Sequence, residues 1–410
     1  MLIVLGYLLL SWVFIRWNVG NVAATQVDPK SPDSRFVADW LTEFSPLDPR
    51  THLLVAKAYE STFNADDLDR AVRENEIAAS LSPNSYGIWL SLGRSRGLVD
   101  NSEGAFEAYD RALALAPNYS LPRWIYGNAL IRAGRLNEGF ALISAAASTD
   151  SKYLQPAVSI ALQLFDGNVD EVRRGLGDTV ETNAGLVRAQ LSAANVESAF
   201  EAWNRLSPEV QRGTNKELGK MFAAKLVELK RFRMAASVLA GISDSNIPVT
   251  STIANGGFEE EIKMGSTGAF DWRIGNGSYP QIGLSDSVTH SGRYGLLLVF
   301  NSFESTGLRS LDQMVPVEPT LDYELEVYFR SDLRSDATLK WQIFDTVSSR
   351  SIAETDVVRQ TVDWTALKAR FRVPEGIDGI LLRLVREGCA GPACPMNGRV
   401  VFDDISLRRL

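Results

Sequence analysis

Histidine and cysteine are almost missing from this chain. Its 410 residues hold two of each: His52, His290, Cys389 and Cys394. Zinc catalysis needs several His, Cys or carboxylate ligands, and a Ser or Cys nucleophile usually needs a histidine base, so both chemistries have few routes here. Positive charge is also short. Lys plus Arg total 42 against 50 for Asp plus Glu, a net charge of −8. That argues against a nucleic-acid partner, because phosphate contacts need a basic face. No G-x-G-x-x-G or Walker loop occurs, and Asn255-Gly256-Gly257 precedes a strand pattern instead of opening a helix. The remainder is ordinary, 45 % hydrophobic and 22 % charged, which excludes wholesale disorder and suits two or three domains. The totals point to binding and scaffolding rather than to an enzyme.

One apolar run stands at the start, Leu2–Ile15, followed by Arg16 and Trp17, with no further charge before Asp28. Fourteen residues are short for a spanning helix and fit a signal h-region, yet no basic region precedes them, and Val22-Ala23-Ala24 is a weak cleavage pattern. Residues 1–24 are therefore expected to be a signal or membrane anchor helix, with snorkelling of Arg16 extending the span at one interface. By the positive-inside rule Arg16 would keep the remainder cytoplasmic. Against it, Cys389 and Cys394 close the Gly/Pro-rich loop 388–395 and read as a disulfide, the alternative being two unpaired thiols. The expectation is a membrane-anchored chain with its bulk outside the cytoplasm, on the periplasmic side, or else a secreted one.

Internal repeats fill residues 35–244. Pro49, Pro83 and Pro117 recur at intervals of 34. In the best unit Trp89, Leu92 and Gly93 fall in a first helix and Ala105, Tyr109 and Ala112 in a second. A shift of 34 gives Ala58, Tyr59, Ala71, Asn75 and Ala78 on one side, and Tyr126, Gly127, Gly139, Ile143 and Ala146 on the other. Small residues let paired helices approach and large ones fill the gaps between pairs. This resembles the tetratricopeptide repeat (TPR), W-x2-L-G-x2-Y then A-x3-F-x2-A and Pro, departing in the central unit at Arg96 and Tyr109. Five to six hairpins are expected. The resemblance implies a groove lined by the first helices that holds a protein partner. Its candidates are Glu60, Leu90, Arg94, Trp124, Asn128 and Arg132, each of which could instead lie on a solvated helix face, and Trp124 between repeats in the core.

Near Ser243 the composition changes. Ala and Leu thin out, and period-two alternation appears at Tyr323–Phe329, Leu339–Ile343 and Leu367–Val373. Helices first and strands second mean separate α and β domains, the second an antiparallel β-sandwich over 250–410. The landmarks Asn255-Gly-Gly-Phe-Glu259, Trp272, His290–Leu296, Trp364 and Phe402–Leu407 resemble jelly-roll carbohydrate-binding modules of the xylanase type. That resemblance implies a structural Ca2+ at Glu259 and Asp404, or simply two turn-capping carboxylates. It also implies a glycan site on an outward sheet face, made of Glu326, Tyr328, Arg330, Gln342, Arg370 and Arg383, or an ordinary solvated face. Trp272, Trp341 and Trp364 are expected in the core. The functional expectation is a non-catalytic envelope scaffold, possessing a helical array for a protein partner and a sandwich for glycan or another subunit. The alternative is a purely structural subunit of a larger membrane complex.

Overall fold

The protein is described by a computed structural model covering residues 2–31, 33–243, 251–262, 268–304, 308–389 and 393–410. Fifteen α-helices come first among these: α1 (Leu2–Gln26), α2 (Ser34–Phe44), α3 (Pro49–Glu60), α4 (Ala65–Leu81), α5 (Tyr86–Leu98), α6 (Ser102–Leu115), α7 (Ser120–Arg132), α8 (Leu136–Thr149), α9 (Leu154–Leu164), α10 (Val169–Leu176), α11 (Val180–Ser192), α12 (Val196–Asn204), α13 (Pro208–Arg212), α14 (Lys216–Glu228) and α15 (Phe232–Ile242). Strands follow: β1 (Arg273–Ile274), β2 (Gln281–Ser285), β3 (Gly295–Glu304), β4 (Leu311–Pro316), β5 (Asp322–Ser331), β6 (Arg334–Ser335), β7 (Thr338–Asp345), β8 (Ser351–Glu354), β9 (Thr361–Arg372), β10 (Gly379–Glu387) and β11 (Ala393–Arg409). The chain forms two compact units, 1–189 and 190–410, with α11 running across the division.

The helical hairpins follow from local chemistry. Asp48, Asn64 and Asn101 cap α3, α4 and α6 by accepting hydrogen bonds from first-turn N–H groups, and Pro49 opens α3 at a position where no N–H is needed. α4 and α6 end two residues before Pro83 and Pro117. α3 packs on α4, α5 on α6 and α7 on α8, and the first helices neighbour one another, α3 with α5 and α5 with α7. The 34-residue period is therefore a structural one: α5 and α7 start at 86 and 120, α6 and α8 at 102 and 136. Gly93 is required where it stands, since a Cβ there would lie 2.6 Å from the Tyr109 ring; at Gly127 it would lie 2.8 Å from the Gly139 carbonyl.

The expectation of a membrane-crossing anchor is not met: among the described residues no helix is long and apolar enough to cross a membrane. The physical reason is that the apolar run stops at Arg16 and the rest of α1 carries Asn18, Asn21, Thr25 and Gln26, and this part is docked. Arg16 donates to the carbonyls of Glu43 (2.8 Å) and Phe44, Arg50 donates to Asn21 (2.7 Å), and Gly20 lies so close to Ser45 and Thr51 that a Cβ would not fit. From Arg16 onward one side of α1 is held against α2 and α3 at Arg16, Gly20 and Asn21, while Trp17 and Val22 stay exposed.

In the second unit the strands form two antiparallel sheets, one in the order β1-β4-β10-β7-β8, the other β2-β3-β11-β5-β9 with β6 added against β11. Tyr323, Leu325, Val327 and Phe329 point into the shared core with Trp272, Trp341 and Phe402, as their alternation requires. The change of composition near Ser243 runs into residues 244–250, outside the described ones. It marks the switch from helix to strand, while the division between the compact units falls earlier, at 189/190, so that α12 to α15 group with the sandwich. Asp378, just before β10, accepts from the N–H groups of Phe232 (3.2 Å) and Arg233 (3.3 Å) and so caps α15, while Phe232 is buried against Gly379.

Candidate functional sites

On the array, the helices bring Glu60, Arg94 and Tyr109 into one cluster. Glu60, at the end of α3, is buried; Arg94 on α5 pairs with it at 2.7 Å, Ser95 donates to its other oxygen, and Asn75 on α4 donates to Ser95. Glu60 and Arg94 stand one repeat apart, so the ion pair stitches neighbouring hairpins. Burial pushes the Tyr109 phenol above its ordinary range, while the charges of Arg132 and Arg94 act the other way. Arg132 is exposed at the end of α7 and has no carboxylate partner among the described residues. Asn128 spends its amide on the Trp124 carbonyl of its own helix (2.7 Å). Trp124 is half-buried and stacked on Tyr153 at 4.9 Å. Leu90 is not a surface residue: it is 6 % exposed, in the core with Tyr109 and Tyr126, because its side of α5 faces α6. Glu60, Arg94 and Arg132 are thus the candidates with polar atoms on this face.

A second cluster was invisible to pattern reading. His52 Nδ1 lies 2.6 Å from the Glu74 carboxylate and Nε2 lies 3.0 Å from the Pro46 carbonyl. Burial alone would depress the imidazole, but these two bonds and the Glu74 and Asp48 charges outweigh it, so it is held above its ordinary pKa. Only the scarcity of histidine flagged it.

On the sandwich, the six proposed glycan contacts do not form one site. Glu326, Tyr328 and Arg330 on β5 and Arg370 on β9 face outward from the six-stranded sheet. Gln342 on β7 and Arg383 on β10, directly paired, face outward from the five-stranded one. Strands close in sequence were assigned to opposite sheets, and alternation along a strand says only whether a residue points in or out. Most of these groups already have partners: Glu326 with Lys368 (2.6 Å), Arg370 with Glu324 (2.5 Å), Arg383 with Asp312 (3.3 Å) and Gln342 with Glu354 (3.0 Å). Two arginines, Arg370 and then Arg408, hold the Glu324 carboxyl below the ordinary carboxylate range.

Tyr328 belongs to an aromatic cluster centred on His290. The His290 ring, from the loop between β2 and β3, lies over Tyr328 at 3.9 Å, and Trp364 meets His290 edge-on at 5.3 Å. Trp272 and Trp341 are buried as expected, but Trp364 is not in the core: it shares the outward side of β9 with Ala366, which is paired with Tyr328.

Glu259 and Asp404 both reach the loop 290–294. Glu259 accepts from the N–H groups of Arg293 (2.9 Å) and Tyr294 (3.2 Å); Asp404 engages His290 (2.6 Å) and the Ser291 hydroxyl (2.8 Å). Burial pushes the neighbouring Asp403 carboxyl up, against three backbone N–H donors. Convergence of two carboxylates on one loop fits a cation in part, but their described contacts are with N–H and O–H donors. Among the described residues no three metal-ligating side chains gather. Cys389 and Cys394 form a disulfide with Cα atoms 5.6 Å apart.

This geometry defines a two-part chain, an array of helical hairpins and an antiparallel two-sheet sandwich. No family model matches it. A stretch of 100 residues is 28 % identical to the peroxisomal targeting signal receptor of Saccharomyces cerevisiae, covering 24 % of this chain and 16 % of that protein, so the chain spans only a small part of this curated relative. A MamA structure matches 43 % of this chain and 97 % of its own at 18 % identity, TM-score 0.34. A CBM4 structure matches 38 % and 99 % at 15 % identity, TM-score 0.30. TmCBM61 in complex with beta-1,4-galactotriose matches 38 % and 96 % at 20 % identity, TM-score 0.27.

Proposed function

We propose that the chain is a non-catalytic scaffold of the cell envelope whose array holds a protein segment on the face built by α3, α5 and α7. The observation that carries this is the 34-residue period itself. It repeats one surface along the array and leaves Arg94 and Arg132 exposed beside buried Tyr109. The yeast relative is by name a receptor for a targeting signal, a comparable kind of partner. The Cys389–Cys394 disulfide supports placement in an oxidising compartment. The test is site-specific photo-crosslinking in cells, with the reactive residue at 94 or 132 and a control at Arg111. Adducts at the first two positions and none at the third are expected; adducts equally at all three would refute a directed groove.

A second reading concerns the sandwich. Glycan binding would use an exposed aromatic face, because sugar rings stack on aromatic faces. Here His290 covers Tyr328, and ion pairs occupy the charged groups beside it. This favours protein contact over glycan contact on that sheet, and so the structural-subunit alternative. A glycan array probed with residues 190–410 decides: no bound sugar is expected, and a hit lost in Trp364→Ala would restore the glycan reading. Calcium at Glu259 and Asp404 is kept as a proposal for the same unit.

A further inference from the structure

The first four turns of α1 are apolar on every side. Val4, Tyr7, Leu8, Leu10, Val13 and Phe14 are all more than half exposed. Side chains on an α-helix advance about 100° per residue, so these positions fan over about 220° of the circumference, about twice the width of the apolar stripe that a helix turns toward a core. A protein groove would cover one side of such a helix and leave the other wet. Lipid surrounds it.

The patch continues onto the next helix. Trp12 meets Phe44 edge-on at 6.1 Å, Phe44 stacks on Trp40 at 4.8 Å, and Phe36 and Leu47 stand 79 % and 73 % exposed beside them. An apolar cavity of about 380 Å3 opens between α1 and the α2–α3 connection. At this level lie the only cation of α1, Arg16, and three tryptophans, Trp12, Trp17 and Trp40. Aromatic rings with a basic residue form the collar found where a protein enters the headgroup layer. No acidic residue occurs before Asp28.

We infer that unit 1 seats itself on a lipid bilayer: α1 ahead of Arg16 enters the hydrocarbon without crossing it, and the outer face of α2 lies among the headgroups. Among the described residues no helix is long and apolar enough to cross a membrane, and Leu2–Ile15 itself covers about 21 Å at 1.5 Å per residue. The attraction comes from apolar area and not from charge, since Asp33, Asp39 and Glu43 balance Lys30, Arg35 and Arg16 around the patch. Binding should then need no anionic lipid and should survive salt.

The experiment is co-flotation of the full chain with phosphatidylcholine vesicles at low salt and at 1 M salt, together with quenching of tryptophan fluorescence by brominated acyl chains. The chain is expected to float under both conditions and to be quenched. Leu8→Asp with Phe14→Asp should weaken partitioning by about tenfold or more, while Phe63→Asp, equally exposed elsewhere on unit 1, should float like the parent. All three substituted side chains are exposed, so unchanged melting confirms that the variants fold. Failure of the parent chain to float overturns the inference. So does equal flotation of the Leu8/Phe14 variant, flotation only on anionic vesicles at low salt, or lipid-free self-association that the variant abolishes while vesicles remain unbound.

Discussion

Replacing Gly379 with alanine tests whether the last helical hairpin is truly part of the sandwich. A Cβ built at Gly379 would lie 2.4 Å from Cδ2, 2.7 Å from Cγ and 3.1 Å from Cβ of Phe232. Cδ2 and Cγ would move with χ1, but Phe232 is 3 % exposed, so its packed surroundings oppose a change of rotamer. Overpacking of this kind costs about 1–3 kcal/mol. For a unit of this size, each kcal/mol lowers Tm by about 2–4 °C. Phe232→Ala alone should cost about 3–5 kcal/mol by leaving a cavity. In that background the two shortest contacts are gone and only the 3.1 Å approach to the Cβ of residue 232 remains, so Gly379→Ala should cost much less, giving a coupling of about 1–3 kcal/mol. The assay is calorimetry of the full chain, following the transition assigned to residues 190–410 by its presence in that fragment. A harmless Gly379→Ala, or a cost undiminished without Phe232, would refute the packing argument. A fragment beginning at 251, which lacks α15 and leaves Asp378 without the α15 N–H groups it caps, should melt lower than one beginning at 190.

His52 is held above its ordinary pKa in the folded state. Its contribution to stability is therefore complete below the unfolded value near 6.5 and is lost as pH rises through the folded value. His52→Asn should cost about 1–3 kcal/mol at pH 5.5 and less at pH 8.5, measured by urea unfolding; a cost that grows with pH would contradict the sign. Gly127→Ala forces a methyl against the backbone carbonyl of Gly139 and should destabilise unit 1 by about 1–3 kcal/mol, read as a lower urea midpoint; an unchanged midpoint would show that α7 and α8 can separate freely. Calcium added to the chelator-treated chain should raise the melting temperature of residues 190–410 if Glu259 and Asp404 hold a cation, and Glu259→Gln should abolish the rise; no shift removes the metal.

Much of this architecture was readable in local pattern. Recurring prolines and small residues marked the hairpins because helix pairs can approach only where side chains are small, as Gly93 does against Tyr109. Alternation marked Tyr323, Leu325, Val327 and Phe329 as inward because a strand turns each successive side chain to the other face. The candidate sites were less readable. Glu60 and Arg94 could be found because a 34-residue period places them one above the other, whereas Leu90, one helical turn from Arg94, could not be assigned to core or surface without its neighbours.

What the amino-acid order determined by itself is the kind of each element and which of its faces is apolar, since both depend on residues a few positions apart. Tertiary structure alone decided which elements became neighbours. β5 and β7 follow one another closely yet lie in opposite sheets, so Gln342 and Arg383 parted from Tyr328. β11 pairs with β3 and β5, and this brought Asp404 to His290, 114 residues away. The same long-range packing set α15 on the sandwich and pinned Arg16 to α2. Such contacts depend on the fit of whole surfaces far apart in the chain, and no local period encodes that fit.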